Sequence, residues 1–233
     1  MRKFKFDGKY SSDFAAYISG SGTYNAPKRD VTSVRIPGRN GTLTTDNGRY
    51  ENIDVTYPAF IISDFARNSD DLKAFMLKDS RYHRLEDDYH PDYFRMAKYI
   101  GPLNFDMKAL NRAGEFSLTF DCMPQRWLKS GECAIELTSE CTMVNPTLYT
   151  ALPLIRVYGT SGKLHIGEII VQLNFIDEYV DLDSDSQNAY KGTTNCNANI
   201  YAPNFPILEA GETGIYWEGD IEKVEITPRW WTI

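Results

Sequence analysis

The sequence predicts a mainly β protein with two domains. The N-terminal domain would be a β-sandwich or barrel-like domain with one helix, and the C-terminal domain an antiparallel β-sandwich. Its 15 Tyr and 12 Phe residues, together with many Val, Ile and Thr, favour strands over helices. Gly and Pro are spread along the whole length and predict turns at short spacing. A chain of 233 residues with 42% hydrophobic content fits two small domains with real cores.

The composition excludes several classes of protein. A net charge of -7 without a basic cluster argues against sequence-specific nucleic acid binding, which relies on neutralised phosphates. We expect no signal peptide, because residues 1–10 contain no apolar run, and we expect no membrane-spanning segment. The cysteines lack metal-ligand spacing, so we expect neither a metal nor a cofactor. Because we expect no signal peptide, we expect the thiols to be reduced. These cysteines are Cys122, Cys133, Cys141 and Cys196.

The first predicted element is a β-hairpin. Residues 31–37 are rich in β-branched side chains and end in a turn sequence with two glycines and a proline at 37–41. Residues 50–57 alternate between apolar and polar side chains, as a half-buried strand does. The intervening residues 44–48 contain Asn47-Gly48, a pair typical of tight turns. The pattern therefore predicts a hairpin that pairs residues 31–37 with residues 50–57.

One helix is predicted next. Ser69 is a suitable cap, and two aspartates follow it in the first turn, where they interact favourably with the helix dipole. Leu72, Phe75 and Met76 stand at positions i, i+3 and i+4, so that one apolar stripe can pack on a sheet. Residues 82–91 are polar and predict a long loop or the tip of a hairpin.

The remaining elements are predicted as strands. Residues 94–100 and 115–122 have strand patterns, the second with an uninterrupted apolar alternation. The composition changes at residues 123–127, and we expect the domains to comprise residues 1–126 and 127–233. The second domain predicts six or more short strands, which is typical of an antiparallel sandwich. These strands are 134–137, 152–158, 163–166, 168–174, 178–182 and 221–231.

Residues 35–43 (RIPGRNGTL) and 48–52 (GRYEN) resemble the N-terminal pattern of the distal tail proteins (Dit) of long-tailed bacteriophages. That pattern is a P-G-R-x-G turn, a tight hairpin, and Y-E-N at the start of a strand. Later segments are similar to the family in the same order, over nearly the whole chain. These segments are 120–124, 145–146, 151–155, 179–183 and 205–208.

The resemblance implies a structural protein of the virion, located at the phage tail tip, and not an enzyme. The first domain would assemble into a hexameric ring around the tail axis, and the second would be a galectin-like β-sandwich. Family members join the tail tube protein to the tail-tip protein or tail-associated lysin of the baseplate, and they often anchor receptor-binding proteins. Assembly would take place in the cytoplasm of the bacterial host, without a membrane partner.

A closed ring requires a contact between two different surfaces of neighbouring copies. Because arginine and aromatic side chains usually dominate protein interfaces, the predicted hairpin is our candidate for this contact. Its candidate residues are Arg39, Arg49 and Glu51.

Two alternatives concern the second half of the chain. Trp217 and Trp230 could form the platform of a carbohydrate-binding module for host surface glycans, although aromatic residues of a sandwich more often lie in cores or interfaces. Asp181, Asp183 and Asp185 are spaced like a calcium loop. The loop would lack the usual glycine at its sixth position and glutamate at its twelfth, so an acidic turn in solvent is the simpler interpretation.

Catalytic side chains do not form a recognisable set. His83, Asp87, Asp88 and His90 could bind a metal, but a solvated hairpin tip explains them more simply. His165 alternates with apolar neighbours, and we expect it on a strand, facing solvent. A β-rich hydrolase would need a nucleophile elbow or a carboxylate pair, and neither stands out. We therefore predict no catalytic residues.

Overall fold

The computed structural model describes residues 1–108 and 112–233. Contacts between residues divide the chain into two compact units, Met1–Arg126 with Ile233, and Trp127–Thr232. Both units consist mainly of antiparallel strands, which confirms the predicted fold class. No helix of the described residues is long and apolar enough to span a membrane.

The first unit contains one helix, α1 (Phe65–Met76). Its strands are β1 Phe4–Phe6, β2 Lys9–Tyr10, β3 Ala16–Ile18, β4 Arg29–Arg35, β5 Thr42–Tyr50, β6 Ile53–Ile61, β7 His83–Asp87, β8 Tyr93–Lys98, β9 Phe105–Lys108 and β10 Ala113–Cys122. The main sheet has the order β2-β1-β7-β8-β10-β6-β3, and β9 pairs with β10. Strands β4 and β5 form a separate two-stranded sheet.

An aromatic cluster fills the core of the first unit. Strands β6 and β10 pair along their whole length, and every second side chain of each is buried, as the alternation in residues 115–122 predicts. Phe120 is fully buried at the centre. Its ring lies 5.1 to 5.9 Å from the rings of Phe4, Phe6, Tyr57 and Tyr99. Edge-to-face contacts of this kind stabilise a core beyond the burial of area alone.

The predicted tight turn at Asn47-Gly48 is wrong. Strand β5 runs through both residues, and the chain turns at residues 37–41, where Gly38 and Gly41 adopt φ values of +78° and +84°. Gly48 has a φ of +73° and lies where the register between β4 and β5 shifts, so its backbone freedom serves a bulge rather than a turn. The hairpin therefore pairs β4 with β5, and residues 53–61 belong to the main sheet as β6.

The helix begins earlier than its sequence predicts. Helix α1 starts at Phe65, after Asp64 in a left-handed conformation, and Ser69 lies inside it with its hydroxyl donating to a backbone carbonyl of the preceding turn. Phe65 is buried and its ring packs at 5.6 Å from that of Phe105. This tertiary contact explains the extra turn. The predicted apolar stripe does pack on the core.

Two strands at the other edge of the sheet were also not predicted. Residues 83–87 form β7, between β1 and β8, rather than a loop or a hairpin tip. Strand β1 brings Phe4 and Phe6 into the core, each 2% exposed. Charged residues alternate with them in the sequence, and this alternation is that of an amphipathic strand.

The second unit is a sheet of order β12-β20-β14-β16-β17-β18, with β13 on β20, β15 on β14 and β19 on β15. Its strands are β12 Ile135–Leu137, β13 Cys141–Asn145, β14 Leu154–Ile166, β15 Ile169–Leu173, β16 Tyr179–Asp183, β17 Asn188–Lys191, β18 Thr194–Asn195, β19 Ile200–Tyr201 and β20 Gly211–Thr227. Two short strands outside this sheet, β11 Arg126–Leu128 and β21 Trp231–Thr232, pair with each other.

One long strand replaces two predicted short ones in this unit. Residues 152–158 and 163–166 are both parts of β14, which pairs with β20 on both sides of a bulge at Gly159. Gly159 has a φ of +145°, and a Cβ there would lie 2.1 Å from the carbonyl oxygen of Asp220. Gly159 therefore lets β14 and β20 approach each other closely, and β14 continues through it.

Candidate functional site: the β4–β5 hairpin

The hairpin of β4 and β5 is exposed on both of its faces. All but two of its strand residues are exposed, and among the described residues the two strands pair only with each other. Isolated two-stranded hairpins are at best marginally stable in water. A hairpin in this state is therefore suited to a partner that covers it.

Apolar side chains stand together at the outer end of the hairpin. Val34 lies directly opposite Leu43, so both side chains project from the same face, and they are 53% and 51% exposed. Ile36 follows at the end of β4 and is also exposed. We call Val34, Ile36 and Leu43 the apolar tip. Large exposed apolar side chains that are contiguous commonly mark interaction surfaces.

Ion pairs hold the inner end of the hairpin. Arg29 Nε donates to Asp46 at 2.6 Å, and Arg49 Nε donates to Asp30 at 2.6 Å. The amide of Asn47 also donates to Asp30 at 2.9 Å. These donors lower the pKa of both aspartates below the usual range, Asp30 through Asn47 and then Arg49, and Asp46 through Arg29. Polar contacts thus fix the base of the hairpin, and the apolar tip lies beyond them.

The three residues predicted for the ring contact do not form one cluster. Arg49 is occupied by Asp30, and Glu51 accepts a hydrogen bond from Lys28 at 3.3 Å. Arg39 is exposed in the turn between β4 and β5, and its guanidinium has no partner within residues 1–108 and 112–233. Arg39 is therefore the one of the three with a charge available to a partner.

The apolar tip was missed from the sequence. Val34 lies in a segment predicted as a strand, and its partner Leu43 was placed beside a turn. If residues 44–48 form a turn, Leu43 does not lie opposite Val34, so the sequence prediction did not pair these two residues. The available signal was the spacing of Val34 and Ile36, which are two positions apart and therefore lie on the same face of a strand.

A second surface of the first unit is an open groove of about 580 Å³ over β6, β9 and β10. Glu115 lies opposite Phe60 on one side and opposite Asp106 on the other, so the three side chains share one face. Asp106 and Glu115 are 71% and 68% exposed, and Lys108 approaches them at 2.6 and 3.9 Å. We call this surface the acidic groove. Its walls include Phe60, Phe105, Asp106, Glu115 and Phe116.

The histidine-rich segment predicted as a possible metal site is structural. The ring of His83 bridges two carboxylates, with Nδ1 at 3.0 Å from Asp7 and Nε2 at 2.8 Å from Asp79. This contact lowers the pKa of Asp79 well below its usual range. His90 lies instead beside Asp87, at 3.4 Å. Among the described residues, no group of three His, Cys, Asp or Glu side chains is arranged to hold a metal ion.

The aspartates spaced like a calcium loop are paired with arginines. The buried carboxylate of Asp181 accepts two hydrogen bonds from Arg156, at 2.7 and 2.9 Å. Asp183 accepts one from Arg229 at 2.7 Å and one from the backbone N–H of Asp185. Both oxygens of Asp181 and one oxygen of Asp183 are thus held by protein donors.

We expect Arg156→Met to destabilise the second unit by roughly 3 kcal/mol, because it leaves the buried Asp181 carboxylate without a partner. Urea unfolding followed by tryptophan fluorescence measures the loss. The double variant Arg156→Met with Asp181→Leu is the control, and it should regain most of the lost stability. A single variant as stable as the wild type would contradict the role of the pair.

The tryptophans predicted as a sugar platform lie in or against the core of the second unit. Trp230 is 5% exposed, and Trp217 packs on the same core while its indole N–H donates to the carbonyl of Ile221 at 3.1 Å. His165, expected to face solvent, is 8% exposed, so this prediction is wrong. Its ring is covered by Tyr216, stacked at 4.2 Å.

Comparison with known proteins supplies a likeness in structure. No family model and no curated protein matches the sequence. The Dit protein of phage SPP1, described as a paradigm of the hub adsorption apparatus in phages that infect Gram-positive bacteria, matches with a TM-score of 0.76. The match covers 100% of both chains at 12% sequence identity.

Baseplate chains of phage P2 in the activated conformation, with calcium and with strontium, match less well. They cover 97% of each chain at 9% and 10% identity, with TM-scores of 0.48 and 0.49. The resemblance that residues 35–52 carry is confirmed at the level of fold: the chain has the fold of a phage Dit hub protein.

Proposed function

We propose that the protein is a distal tail hub of a long-tailed bacteriophage, a structural protein at the tail tip of the virion. The observation that carries this proposal is the fold match to SPP1 Dit over the full length of both chains. Its partners would be the tail tube protein on one side, and the tail-tip or tail-associated lysin protein and a receptor-binding protein on the other. The second unit would be the galectin-like sandwich, and assembly would occur in the host cytoplasm.

The hub would be a hexameric ring of this chain, with the hairpin as one side of the contact. The apolar tip leaves apolar area in water that a neighbouring copy can bury. The hairpin and the acidic groove are different surfaces of the first unit. A contact between the hairpin of one copy and the groove of the next therefore repeats from copy to copy and can close into a ring.

The acidic groove of the next copy is the surface that suits the hairpin. Phe60 lies on the same face as Asp106 and Glu115 and offers an apolar contact for the tip. The two carboxylates share the single Lys108, so the groove keeps a net negative charge. Arg39 carries a positive charge in the turn beside the tip, and no described residue of its own chain pairs with it. Apolar contact at the centre with opposite charges at the rim is the usual composition of a specific interface.

The mass of the purified chain in solution tests the proposal. We expect a closed assembly of six copies by light scattering coupled to size exclusion. A carbohydrate-binding module, the rival function, predicts a monomer that binds glycans. A monomer at all accessible concentrations would contradict the ring as a property of this chain alone.

Replacing Arg39 with glutamate should weaken the ring and leave the monomer folded. The substitution places a negative charge against Asp106 and Glu115, and we expect each contact to lose about tenfold in affinity. Light scattering over a dilution series measures the shift toward smaller species. Lys163→Glu, the same change of charge in the second unit, is the control. Unchanged hexamers in Arg39→Glu would remove this residue from the interface.

A further inference from the structure

A small polar cavity lies inside the first unit, away from the hairpin and the acidic groove. Its volume is about 20 Å³, which is room for one particle of the size of a water molecule. The side chains come from β6, β7 and β8, from the turn between β7 and β8, and from Arg126 at the start of β11. Its polar walls are Tyr57, Asp87, His90, Tyr93, Arg95 and Arg126.

Two nitrogen atoms of the lining residues have no hydrogen-bond partner in the part of the chain that the structure describes. They are Arg126 Nε and His90 Nε2, and both are closed off from solvent. Arg126 Nε always carries a proton, so it is a buried donor without an acceptor. His90 Nε2 donates a hydrogen bond whenever it carries a proton. Buried donors are nearly always satisfied in folded proteins, and an orphaned one indicates a bound particle that accepts hydrogen bonds.

The charge around the cavity is positive. Arg95 and Arg126 contribute two guanidinium groups, and burial lowers the pKa of Arg95, with Arg126 acting in the same direction. Asp87 is the one carboxylate in the lining, and other donors already occupy it. Its Oδ2 accepts from Tyr57 at 2.5 Å, and its Oδ1 accepts from two backbone N–H groups at 2.8 Å. The second terminal nitrogen of Arg126 donates to the main-chain oxygen of Ile233 at 3.0 Å, and its Nε is left without an acceptor. The lining thus has two guanidinium groups and one carboxylate.

We propose that this cavity binds a single monatomic anion of halide size, held by Arg126, Arg95 and His90. The positive charge favours an anion over a neutral water molecule or a cation. The volume is too small for phosphate, sulfate or a carboxylate group. The bound halide would tie Arg126 to β8 and to the turn before it, and would reduce the repulsion between the two guanidinium groups.

Thermal unfolding of the full chain in different sodium salts tests the site. Far-UV circular dichroism is measured in chloride, bromide and gluconate at equal ionic strength. We expect a saturable rise in Tm of about 3–6 °C in chloride or bromide at ten times the Kd, and none in gluconate. Arg126→Gln should abolish the difference between the salts. Arg67→Gln, which removes an exposed guanidinium elsewhere in the first unit, should retain it.

A second measurement does not depend on any variant. Crystals grown in sodium bromide should show an anomalous scattering peak within hydrogen-bond distance of Arg126 Nε. No salt-specific stabilisation of the wild type together with no bromide peak would mean that water fills the cavity, and the proposal would be overturned. A halide effect that persists in a folded Arg126→Gln variant would overturn it equally.

Discussion

Replacing Val34 with aspartate and Leu43 with lysine is expected to convert the proposed ring into monomers while the chain stays folded. These side chains stand opposite each other on β4 and β5 and are about half exposed, so the isolated chain gains little from them. In a ring they would be buried, and each contact would have to desolvate two charges, at a cost of several kcal/mol, or roughly a thousandfold in Kd. Opposite charges at facing positions preserve the hairpin itself.

Sedimentation velocity measures the size of the assembly, and far-UV circular dichroism measures the fold. The second unit offers a matched control, because Val144 and Leu148 are also exposed, at 60% and 90%. Val144→Asp with Leu148→Lys makes the same chemical change away from the hairpin and should leave the assembly intact. If the control variant is monomeric and the hairpin variant still forms the ring, the contact between copies lies on the second unit.

Sequence alternation was sufficient for the fold class but not for the pairing of strands. The strand of residues 115–122 was predictable because the alternation of buried and exposed side chains is written in the sequence itself. The partner of β4 was not, because Asn47-Gly48 has a strong local preference for a turn. In the structure, β5 runs through both residues and pairs with β4, with a bulge at Gly48. Local preference is a weak guide where tertiary pairing competes with it.

The start of α1 has a similar explanation. Ser69 satisfies the local rules for a cap, whereas the true first residue, Phe65, is in the helix because its ring fits against Phe105. The two residues lie forty positions apart and on different elements. Contacts between such distant positions are not visible in a single sequence.

The candidate site was predictable only in part, for the same reason. Arg39 follows from the turn motif in residues 35–43, and the structure adds that it is exposed and has no ionic partner among the described residues. The acidic groove joins Phe60 to Asp106 and Glu115, which come from three strands, and no motif connects them. The orphaned Nε of Arg126 is likewise a property of packing.

Phe120→Ala is expected to give the largest loss of stability of any single substitution in the first unit. Phe120 is fully buried and contacts four other aromatic rings, so its removal leaves a cavity at the centre of the core. Truncation of a buried phenylalanine costs about 3–5 kcal/mol. Since whole domains are stable by only about 5–15 kcal/mol, this unit would be close to unfolding.

The distribution of tryptophan makes the effect measurable unit by unit. All four tryptophans lie at position 127 or later and therefore in the second unit, so their fluorescence reports that unit. Circular dichroism reports both units. In Phe120→Ala we expect part of the circular dichroism signal to be lost at lower denaturant while the fluorescence midpoint stays in place. Phe120→Leu, which keeps most of the volume, should cost less than about 1.5 kcal/mol. An alanine variant no less stable than the leucine variant would mean that the core collapses around the gap, and that the aromatic cluster does not depend on its central ring.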